Sequence, residues 1–479
     1  MVFSTSIFIY LFLPITLLIY YIAPKKSKNF IILLSGLVFY SWGEPIYVVV
    51  MLISTMIDYF AGLVMNHFEG KKLPRKLCLI VSVVMNLGLL GVFKYSGFIA
   101  ENINAIAGSQ IIDINNMNFF GIDFLPMNML PIGISFFTFQ SMSYTIDLYM
   151  GNVKVQKNPI SFAAFVTLFP QIVAGPIVRY DDVAKELDDR TITIDLIYDG
   201  IIRFIIGLSK KVLIANSIGA LWTAVKSTDI SQVSVVSSWL GILAFTFQIY
   251  FDFSGYSDMA IGLGKMMGFH FPENFNYPYI SKSITEFWRR WHISLSTWFR
   301  EYVYIPLGGN RRGKLRQYRN IAVVWLLTGF WHGASWNFLL WGAYFCVLLI
   351  VEKLFLYKWL QKAPAVLAHL YTMFFVCISW LIFYFTDLGE GLTCLKAMFG
   401  VGVTSFATPT VVYDLLRYLP LLLICVLAAT PLPKRLFDAL KNRFVTMRYA
   451  QVLLIAGAFL VITAYLVDST FSPFLYYRF

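Results

Sequence analysis

Long apolar segments recur along the chain, and the loops between them hold most of its charged residues. A helix that crosses the hydrocarbon core of a bilayer needs about 20 predominantly apolar residues. Candidate spans lie at 7–23, 30–42, 46–65, 77–98, 124–148, 197–225, 235–259, 321–350, 366–386, 411–430 and 452–467. The pattern predicts an all-α polytopic membrane protein, because a helix satisfies its own backbone hydrogen bonds in lipid.

The composition also indicates a membrane protein. Hydrophobic residues make up 58% of the chain and charged residues 13%, whereas soluble domains average about 25% charged residues. The formal net charge of +12 does not indicate a nucleic-acid partner. Most Lys and Arg residues lie in short loops beside apolar segments, as expected for a protein surrounded by membrane lipids.

The five cysteines are scattered and form no CxxC pair, which argues against a disulfide framework or a zinc site. The string Asp252, Ser254, Tyr256 and Asp258 lacks the glycine and the closing Glu of an EF-hand loop. We therefore expect no bound metal. Basic residues follow the first apolar segment instead of preceding it, so we expect a retained first span and not a signal peptide.

Loop charges predict the orientation of the spans through the positive-inside rule. Lysines cluster at 25–28 and 71–76, whereas the loop 101–123 contains no Lys or Arg. This pattern places the N-terminus outside and the basic loops in the cytoplasm. The segment 282–320 is too polar to span but rich in Trp, so we expect amphipathic helices at the cytoplasmic interface. The aromatic C-terminal tail, 468–479, is expected outside the cell.

One apolar segment is interrupted. The stretch 162–177 contains Pro170 and the pair Gly175-Pro176. This pattern predicts a re-entrant or kinked segment, which a membrane protein tolerates only when it is buried in protein or lines a cavity. No internal repeat or linker is visible, and we expect one integral-membrane domain over residues 1–479.

Two of the five histidines lie in strongly aromatic segments: His292 in FWRRWHISL and His332 in GFWHGASWNF. A titratable side chain in such a setting costs free energy unless it is hydrogen-bonded or functional. Imidazole titrates near neutrality and can take and return a proton during acyl transfer. On these residues alone, either histidine could instead be an interfacial residue with a structural partner.

Cationic side chains follow His292 between residues 300 and 319. They could bind anionic lipids and set the topology, or they could dock a phosphate-bearing acyl donor, and the two roles are compatible. Arg311, Arg312 and Arg316 are the candidate donor-binding residues. The turn at 307–310 is not a phosphate-binding Walker loop, because it lacks the GK[ST] ending.

Several long motifs occur in one order along the chain. They are FFTFQSMSYTIDLYMG (136–151), FPQIVAGPIVRY (169–180), FQIYFDFSGYSDMAIGLGKMMGF (247–269), FWRRWHISLSTWFREYVYIPLGG (287–309), GFWHGASWNF (329–338) and SPFLYYRF (472–479). In these motifs the chain resembles the membrane-bound O-acyltransferases (MBOAT), and within them the bacterial alginate O-acetyltransferase branch. The resemblance implies a ring of about 11–12 transmembrane helices around a central tunnel, with re-entrant and interfacial helices.

The same resemblance implies roles for three residues. His332 matches the catalytic histidine of the family. His292 matches a second histidine, which could orient His332 or hydrogen-bond the acyl carbonyl as charge develops there. The C-terminal ending is similar to aromatic motifs of bacterial envelope-acylating systems, which makes Tyr476 a candidate acyl relay. An aromatic anchor at the membrane interface is the alternative for Tyr476.

The resemblance implies an O-acetyltransferase of the bacterial inner membrane. It would move an acyl group, acetyl above all, from a cytoplasmic thioester to an extracytoplasmic polysaccharide. The donor would be acetyl-CoA or an acyl carrier protein, with no bound cofactor and with an extracytoplasmic SGNH-type transferase or esterase as partner. D-alanyl transfer to teichoic acids and peptidoglycan O-acetylation remain alternatives. A polysaccharide exporter or a structural subunit is the non-enzymatic alternative, and neither would need the two histidines.

Overall fold

The computed structural model describes residues 1–113, 118–119, 122–126, 130–228, 233–444, 446–468 and 474–475. For 118–119 and 122–126 only the backbone is described; these are two short antiparallel strands, β1 (Asn118–Phe119) and β2 (Ile122–Pro126). The rest of the regular structure is helical.

The α-helices, numbered in chain order, begin and end as follows. They are α1 (Leu13–Ile22), α2 (Lys28–Ser41), α3 (Val48–His67), α4 (Lys72–Leu90), α5 (Ser96–Ala107), α6 (Ile134–Met150), α7 (Pro159–Val166), α8 (Tyr180–Asp188), α9 (Ile194–Ser209), α10 (Asn216–Lys226), α11 (Val235–Met266), α12 (Ile284–Arg290), α13 (Ile293–Phe299), α14 (Lys314–His332), α15 (Trp336–Val351), α16 (Tyr357–Lys362), α17 (Ala365–Tyr384), α18 (Leu388–Met398), α19 (Pro409–Ala428), α20 (Leu432–Arg443) and α21 (Thr446–Asp468). Short π-helical turns lie at Phe8–Phe12, Gly91–Tyr95, Lys210–Ala215, Arg300–Tyr304 and Glu352–Leu356, and 3₁₀ turns at Lys25–Ser27 and Pro278–Ile280.

Within the described residues, eight helical segments are long and apolar enough to cross a membrane. They are Val48–His67, Lys72–Ala107, Ile194–Lys226, Val235–Met266, Trp336–Lys362, Ala365–Tyr384, Pro409–Ala428 and Thr446–Asp468. The first predicted span forms the shorter apolar helix Phe8–Ile22. The helical, multi-pass character expected from the hydropathy pattern is confirmed.

The prediction of one continuous span at 321–350 is wrong. The structure divides this stretch into α14 and α15, which are separated by an extended Gly333 and an extended Ser335. Hydropathy does not detect the break, because the residues on both sides of it are apolar. The break places His332 at the end of a helix.

The chain divides into two compact units, and the first consists of Met1–Phe204 and Met259–Pro272. A buried polar cluster holds α3, α4 and α6 together in this unit. The carboxylate of Asp58 accepts hydrogen bonds from Ser82 Oγ at 2.5 Å, from Asn86 Nδ2 at 2.9 Å and from Ser141 Oγ. Because each polar atom of such a cluster needs its partner when it is buried, the cluster fixes the contact between the helices.

The interrupted segment 162–177 also lies in the first unit. Asn158 caps α7 by accepting a hydrogen bond from the backbone of Ile160 at 2.9 Å, and α7 ends at Val166. The chain then continues without regular helix through a stretch in which nearly all residues are buried. The interruption predicted from Pro170 and Gly175 is therefore present, and the irregular backbone lies inside protein.

The second unit consists of Ile205–Asp258 and Glu273–Phe479. It contains both histidines of interest and the predicted interfacial segment 282–320. That segment folds into the short helices α12 and α13, a π-helical turn at Arg300–Tyr304 and the start of α14. No part of this segment belongs to the eight candidate spans found among the described residues.

Candidate active site

His332 is the last residue of α14 and precedes the turn into α15. Glycines allow the two helices to approach closely at this turn. A Cβ atom at Gly329 would lie 2.3 Å from the carbonyl oxygen of Phe338, and one at Gly333 would lie 2.2 Å from the Phe338 ring. Larger side chains would force the helices apart, so these two glycines set the position of His332.

Aromatic rings surround the imidazole of His332. The ring centroids of Trp331 and Trp341 each lie 5.0 Å from it, and that of Phe383 lies 5.3 Å away. Only 5% of His332 is exposed. Electrostatic interactions are strong in such a dry environment, which favours proton transfer between groups that are already positioned.

The indole N–H of Trp341 is a free donor beside His332. The nitrogen is buried and has no hydrogen-bond partner among the residues that the structure describes. Buried polar groups are normally hydrogen-bonded, so an unsatisfied donor next to a candidate catalytic residue indicates a place for a substrate acceptor.

His292 lies between α12 and α13 in the left-handed backbone region, with φ 45° and ψ 55°. A residue other than glycine adopts this conformation only when its surroundings impose it. Two backbone hydrogen bonds do so here: Asn276 N donates to Arg290 O at 2.9 Å, and Ile293 N donates to Asn274 O at 3.0 Å. The loop 274–276 therefore holds the chain on both sides of His292.

The side chain of Asn274 orients the imidazole. Its Oδ1 accepts hydrogen bonds from the backbone N of Ser294 at 3.3 Å and from Ser294 Oγ at 2.9 Å, while its Nδ2 donates to Ser257 Oγ at 2.9 Å. The same Oδ1 lies 3.1 Å from Nδ1 of His292. An amide oxygen can only accept, so Nδ1 of His292 carries the proton.

The remaining nitrogen of His292, Nε2, is consequently an acceptor. It is buried and has no hydrogen-bond partner among the described residues. Burial lowers the pKa of His292 from 6.5 to about 3, because the charged imidazolium would lose its hydration. The imidazole is therefore neutral at physiological pH, and Nε2 can accept a proton or a hydrogen bond.

The structure brings His292 and His332 to one place. Both rings contact the indole of Trp331, with centroid distances of 6.0 Å for His292 and 5.0 Å for His332. The sequence places the two histidines on different segments, and folding of the second unit joins them around a shared tryptophan. This arrangement can hold a hydroxyl group near a neutral base in an environment that excludes water.

Sequence reasoning missed two residues that support this site. Asn274 is one, and Glu352 is the other. The Glu352 carboxylate is buried and accepts from the backbone N of Ile284 at 2.6 Å and of Thr285 at 2.9 Å, at the start of α12. A negative charge stabilises the first turn of a helix. An acidic residue directly after the apolar run of α15 is the signal that could have revealed Glu352.

The candidate donor-binding residues Arg311, Arg312 and Arg316 are exposed, in the turn before α14 and in its first turn. Their role in donor binding stays a prediction. Asp252 and Asp258 are paired with Lys211 and Lys210, at 2.5 Å and 2.7 Å. Within the described ranges, no group of three or more His, Cys, Asp or Glu residues could hold a metal ion.

Two residues of the C-terminal tail pack against α11 inside the second unit. Leu475 N donates to Asp252 Oδ2 at 2.8 Å, and the buried Phe474 ring lies 4.9 Å from Tyr256. Phe474 also contacts Phe253 at 6.1 Å. Tyr476, the candidate relay residue, lies outside the described residues.

Comparison with known proteins decides the family. The profile of the MBOAT, membrane-bound O-acyltransferase family matches residues 136–392, a range that includes both histidines. The chain belongs to the membrane-bound O-acyltransferase family. It is therefore an enzyme, a multi-pass membrane O-acyltransferase, and the resemblance drawn from its motifs is confirmed.

Individual MBOAT relatives are similar over most of the chain. A probable alginate O-acetylase, AlgI, from Azotobacter vinelandii is 42% identical over 84% of this chain and 79% of its own length. A peptidoglycan O-acetyltransferase from Helicobacter pylori is 35% identical over 85% of this chain and 81% of its own. A teichoic acid D-alanyltransferase from Bacillus subtilis is 32% identical over 54% of this chain and 70% of its own.

Proposed function

We propose that this MBOAT enzyme moves an acetyl group from a cytoplasmic thioester across the membrane for the O-acetylation of an extracytoplasmic polysaccharide. The main support for the proposal is that the rings of His292 and His332 both contact the indole of Trp331 in the second unit. The similarity to alginate O-acetylases over 84% of the chain supports acetyl as the acyl group and a polysaccharide as the acceptor.

In the proposed reaction, the hydroxyl oxygen of the acceptor attacks the carbonyl carbon of the thioester. His332 takes the hydroxyl proton, the carbon–sulfur bond breaks, and the departing thiolate receives that proton. Neutral His292 has no proton on Nε2, so it cannot donate to the acyl carbonyl; it would instead accept from the acceptor hydroxyl or from His332. The unsatisfied N–H of Trp341 is the candidate donor to the carbonyl oxygen.

We also propose an acyl donor, a membrane location and a partner protein for this enzyme. The donor would be acetyl-CoA or an acyl carrier protein, and no further cofactor is needed for the chemistry. The protein would lie in the inner membrane of a bacterium, in contact with membrane lipids. An SGNH-type transferase or esterase outside the cytoplasm would pass the acyl group to the polymer.

Tyr476 would be the acyl relay to that partner. The contacts of its neighbours support the idea. Phe474 packs against Phe253, which in turn contacts the His292 ring at 4.8 Å. Of this tail, Phe474 and Leu475 thus lie beside residues that surround the His292 ring.

Peptidoglycan O-acetylation is the second candidate function. The Helicobacter pylori peptidoglycan O-acetyltransferase matches 85% of the chain, nearly the same share as the alginate O-acetylases. D-alanyl transfer is less well supported, since the Bacillus subtilis D-alanyltransferase matches 54% of the chain.

His332→Ala tests the proposed function. Loss of a general base costs about 10²–10⁴-fold in rate, so polymer acetylation should fall by that factor while the amount of inserted protein stays unchanged. The exposed His67 supplies the control variant, His67→Ala, which should acetylate at the wild-type rate. Acetylation at the wild-type rate by His332→Ala would mean that His332 is not the general base.

A further inference from the structure

A buried ion pair joins Lys211 to Asp252 of α11 in the second unit, with 2.5 Å between Nζ and Oδ1. The two side chains are 4% and 2% exposed. Gly255 lets the two segments approach, since a Cβ atom there would lie 3.2 Å from the backbone N of Lys211. A buried ion pair stabilises a fold only when further contacts replace the water that both charges have lost. The pair therefore needs partners inside the protein.

The C-terminal tail supplies such partners. Oδ2, the second carboxylate oxygen of Asp252, accepts a hydrogen bond from the backbone N of Leu475 at 2.8 Å. The ring of Phe474 lies beside the ammonium group of Lys211, with 5.9 Å from Nζ to the ring centroid. An ammonium group over the face of an aromatic ring is electrostatically favourable. Each member of the ion pair thus contacts one residue of the tail.

Phe474 also extends the wall of aromatic rings beside His292. Only 1% of Phe474 is exposed, and its ring centroid lies 4.9 Å from that of Tyr256 and 6.1 Å from that of Phe253. The rings of Phe253 and His292 meet at 4.8 Å with an interplanar angle of 87°. Protein interiors are close-packed, so loss of the Phe474 ring would leave Phe253 with space to move away from the imidazole.

The same side of α11 supports His292 by a second route. Phe253 and Ser257 lie one helical turn apart and therefore share a face of the helix. Ser257 Oγ accepts a hydrogen bond from Nδ2 of Asn274 at 2.9 Å, and Oδ1 of Asn274 lies 3.1 Å from Nδ1 of His292. The tail thus packs against the face of α11 that holds the imidazole in place.

We infer that Phe474 and Leu475 are positioning residues of the histidine site, held there by the ion pair of Lys211 and Asp252. The docked tail completes the aromatic wall beside His292 and keeps water and other small molecules away from the imidazole. This role goes beyond the proposed function, because it does not require the tail to carry an acyl group.

The two tail residues are recognised in different ways. The carboxylate of Asp252 binds a main-chain N–H, which every residue except proline offers. The rings of Phe253 and Tyr256 instead contact an aromatic side chain. The side chain of Phe474 and the backbone N–H of Leu475 are therefore the groups that dock the tail.

A matched pair of variants in the full-length protein tests the inference. Leu475→Pro removes the N–H that Asp252 binds, and Leu475→Ala keeps it. The tail is substituted in preference to the ion pair, because removal of one ion would leave the other charge buried and unpaired. The probe is diethyl pyrocarbonate, which acylates neutral imidazole nitrogens that it can reach. Mass spectrometry then gives the labelling rate of His292 without requiring turnover.

Undocking of the tail should expose His292 to the reagent. Loss of a hydrogen bond to a charged group should raise the undocked fraction about tenfold or more. The labelling rate of His292 should rise by that factor in Leu475→Pro and also rise in Phe474→Ala, which removes the ring. In Leu475→Ala it should stay at the wild-type value. His369, half-buried on α17, is the internal reference, and its labelling should be the same in every variant.

Labelling of His292 at the wild-type rate in both Leu475→Pro and Phe474→Ala would overturn the inference. So would an equal rise in Leu475→Ala and Leu475→Pro, since the N–H would then have no role. A rise at both His292 and His369 would also overturn it, because the variants would then loosen the unit as a whole. Acetyl transfer by the wild type is measured separately. An inactive wild type whose tail protects His292 would refute the proposed function alone.

Discussion

Oδ1 of Asn274 lies 3.1 Å from Nδ1 of His292 and accepts a hydrogen bond from the N–H at that position. This single contact decides which nitrogen of the imidazole carries the proton and leaves Nε2 as the acceptor. It also joins two parts of the chain, since Asn274 lies in the loop after α11 and His292 lies between α12 and α13.

Asn274→Asp should shift the pH dependence of transfer. A carboxylate in place of the amide favours the imidazolium and raises the pKa of His292, so Nε2 becomes protonated and the rate at low pH falls. The pH–rate profile should move to higher pH. Ser294→Ala removes another hydrogen bond to the same oxygen without adding charge, and it should keep the wild-type profile. An unshifted profile in Asn274→Asp would contradict the assigned tautomer.

The low pKa of His292 should make the protein less stable in mild acid. Below about pH 6.5, His292 becomes protonated in the unfolded chain. In the folded protein its pKa is about 3, so it stays neutral there. The free energy of unfolding should therefore decrease as the pH falls from 6.5 towards 3, by about 2 kcal/mol at pH 5. The measurement is the melting temperature in detergent at pH 7 and pH 5.

His292→Asn is the control for this pH effect, because asparagine tolerates the left-handed backbone but does not titrate. Its melting temperature should depend less on pH than that of the wild type. Equal pH dependence in the two proteins would mean that other groups cause the loss of stability.

Charge reversal at Arg311, Arg312 and Arg316 should raise the KM for the acyl donor more than it lowers kcat. These exposed side chains would attract a phosphate-bearing donor to the cytoplasmic face. A control triple reversal at Lys434, Arg435 and Arg443 removes the same charge from α20. A loss of kcat with unaltered KM would indicate a structural or lipid-binding role.

Tyr476→Phe should stop polymer acetylation without lowering the amount of protein. The substitution keeps the ring and removes only the hydroxyl that would carry the acyl group. Mass spectrometry of the wild-type C-terminal peptide should detect an acyl-tyrosine. Full acetylation by the Phe variant would leave Tyr476 as an aromatic anchor.

The fold class could be predicted from the sequence alone. Each run of apolar residues, such as those of α3, α17 and α21, predicts a helix from its own residues alone. This is because a helix in lipid forms its hydrogen bonds within one segment. The motifs around His292 and His332 are also continuous in the sequence, and they were sufficient to predict the family. The interruption at Pro170 could be predicted because proline disrupts a helix at its own position in the chain.

Only the tertiary structure decided how the site is built. The break after His332 depends on Gly329 and Gly333, which pack closely against Phe338 of α15. Hydropathy does not detect such a contact between helices. The tautomer of His292 depends on Asn274, and the position of α12 depends on Glu352, which is distant in the sequence. A hydrogen bond between distant residues leaves no periodic pattern in a single chain. The sequence by itself therefore determined a membrane-bound acyltransferase with two candidate histidines, and the packing of the second unit determined which nitrogen of His292 can act as a base.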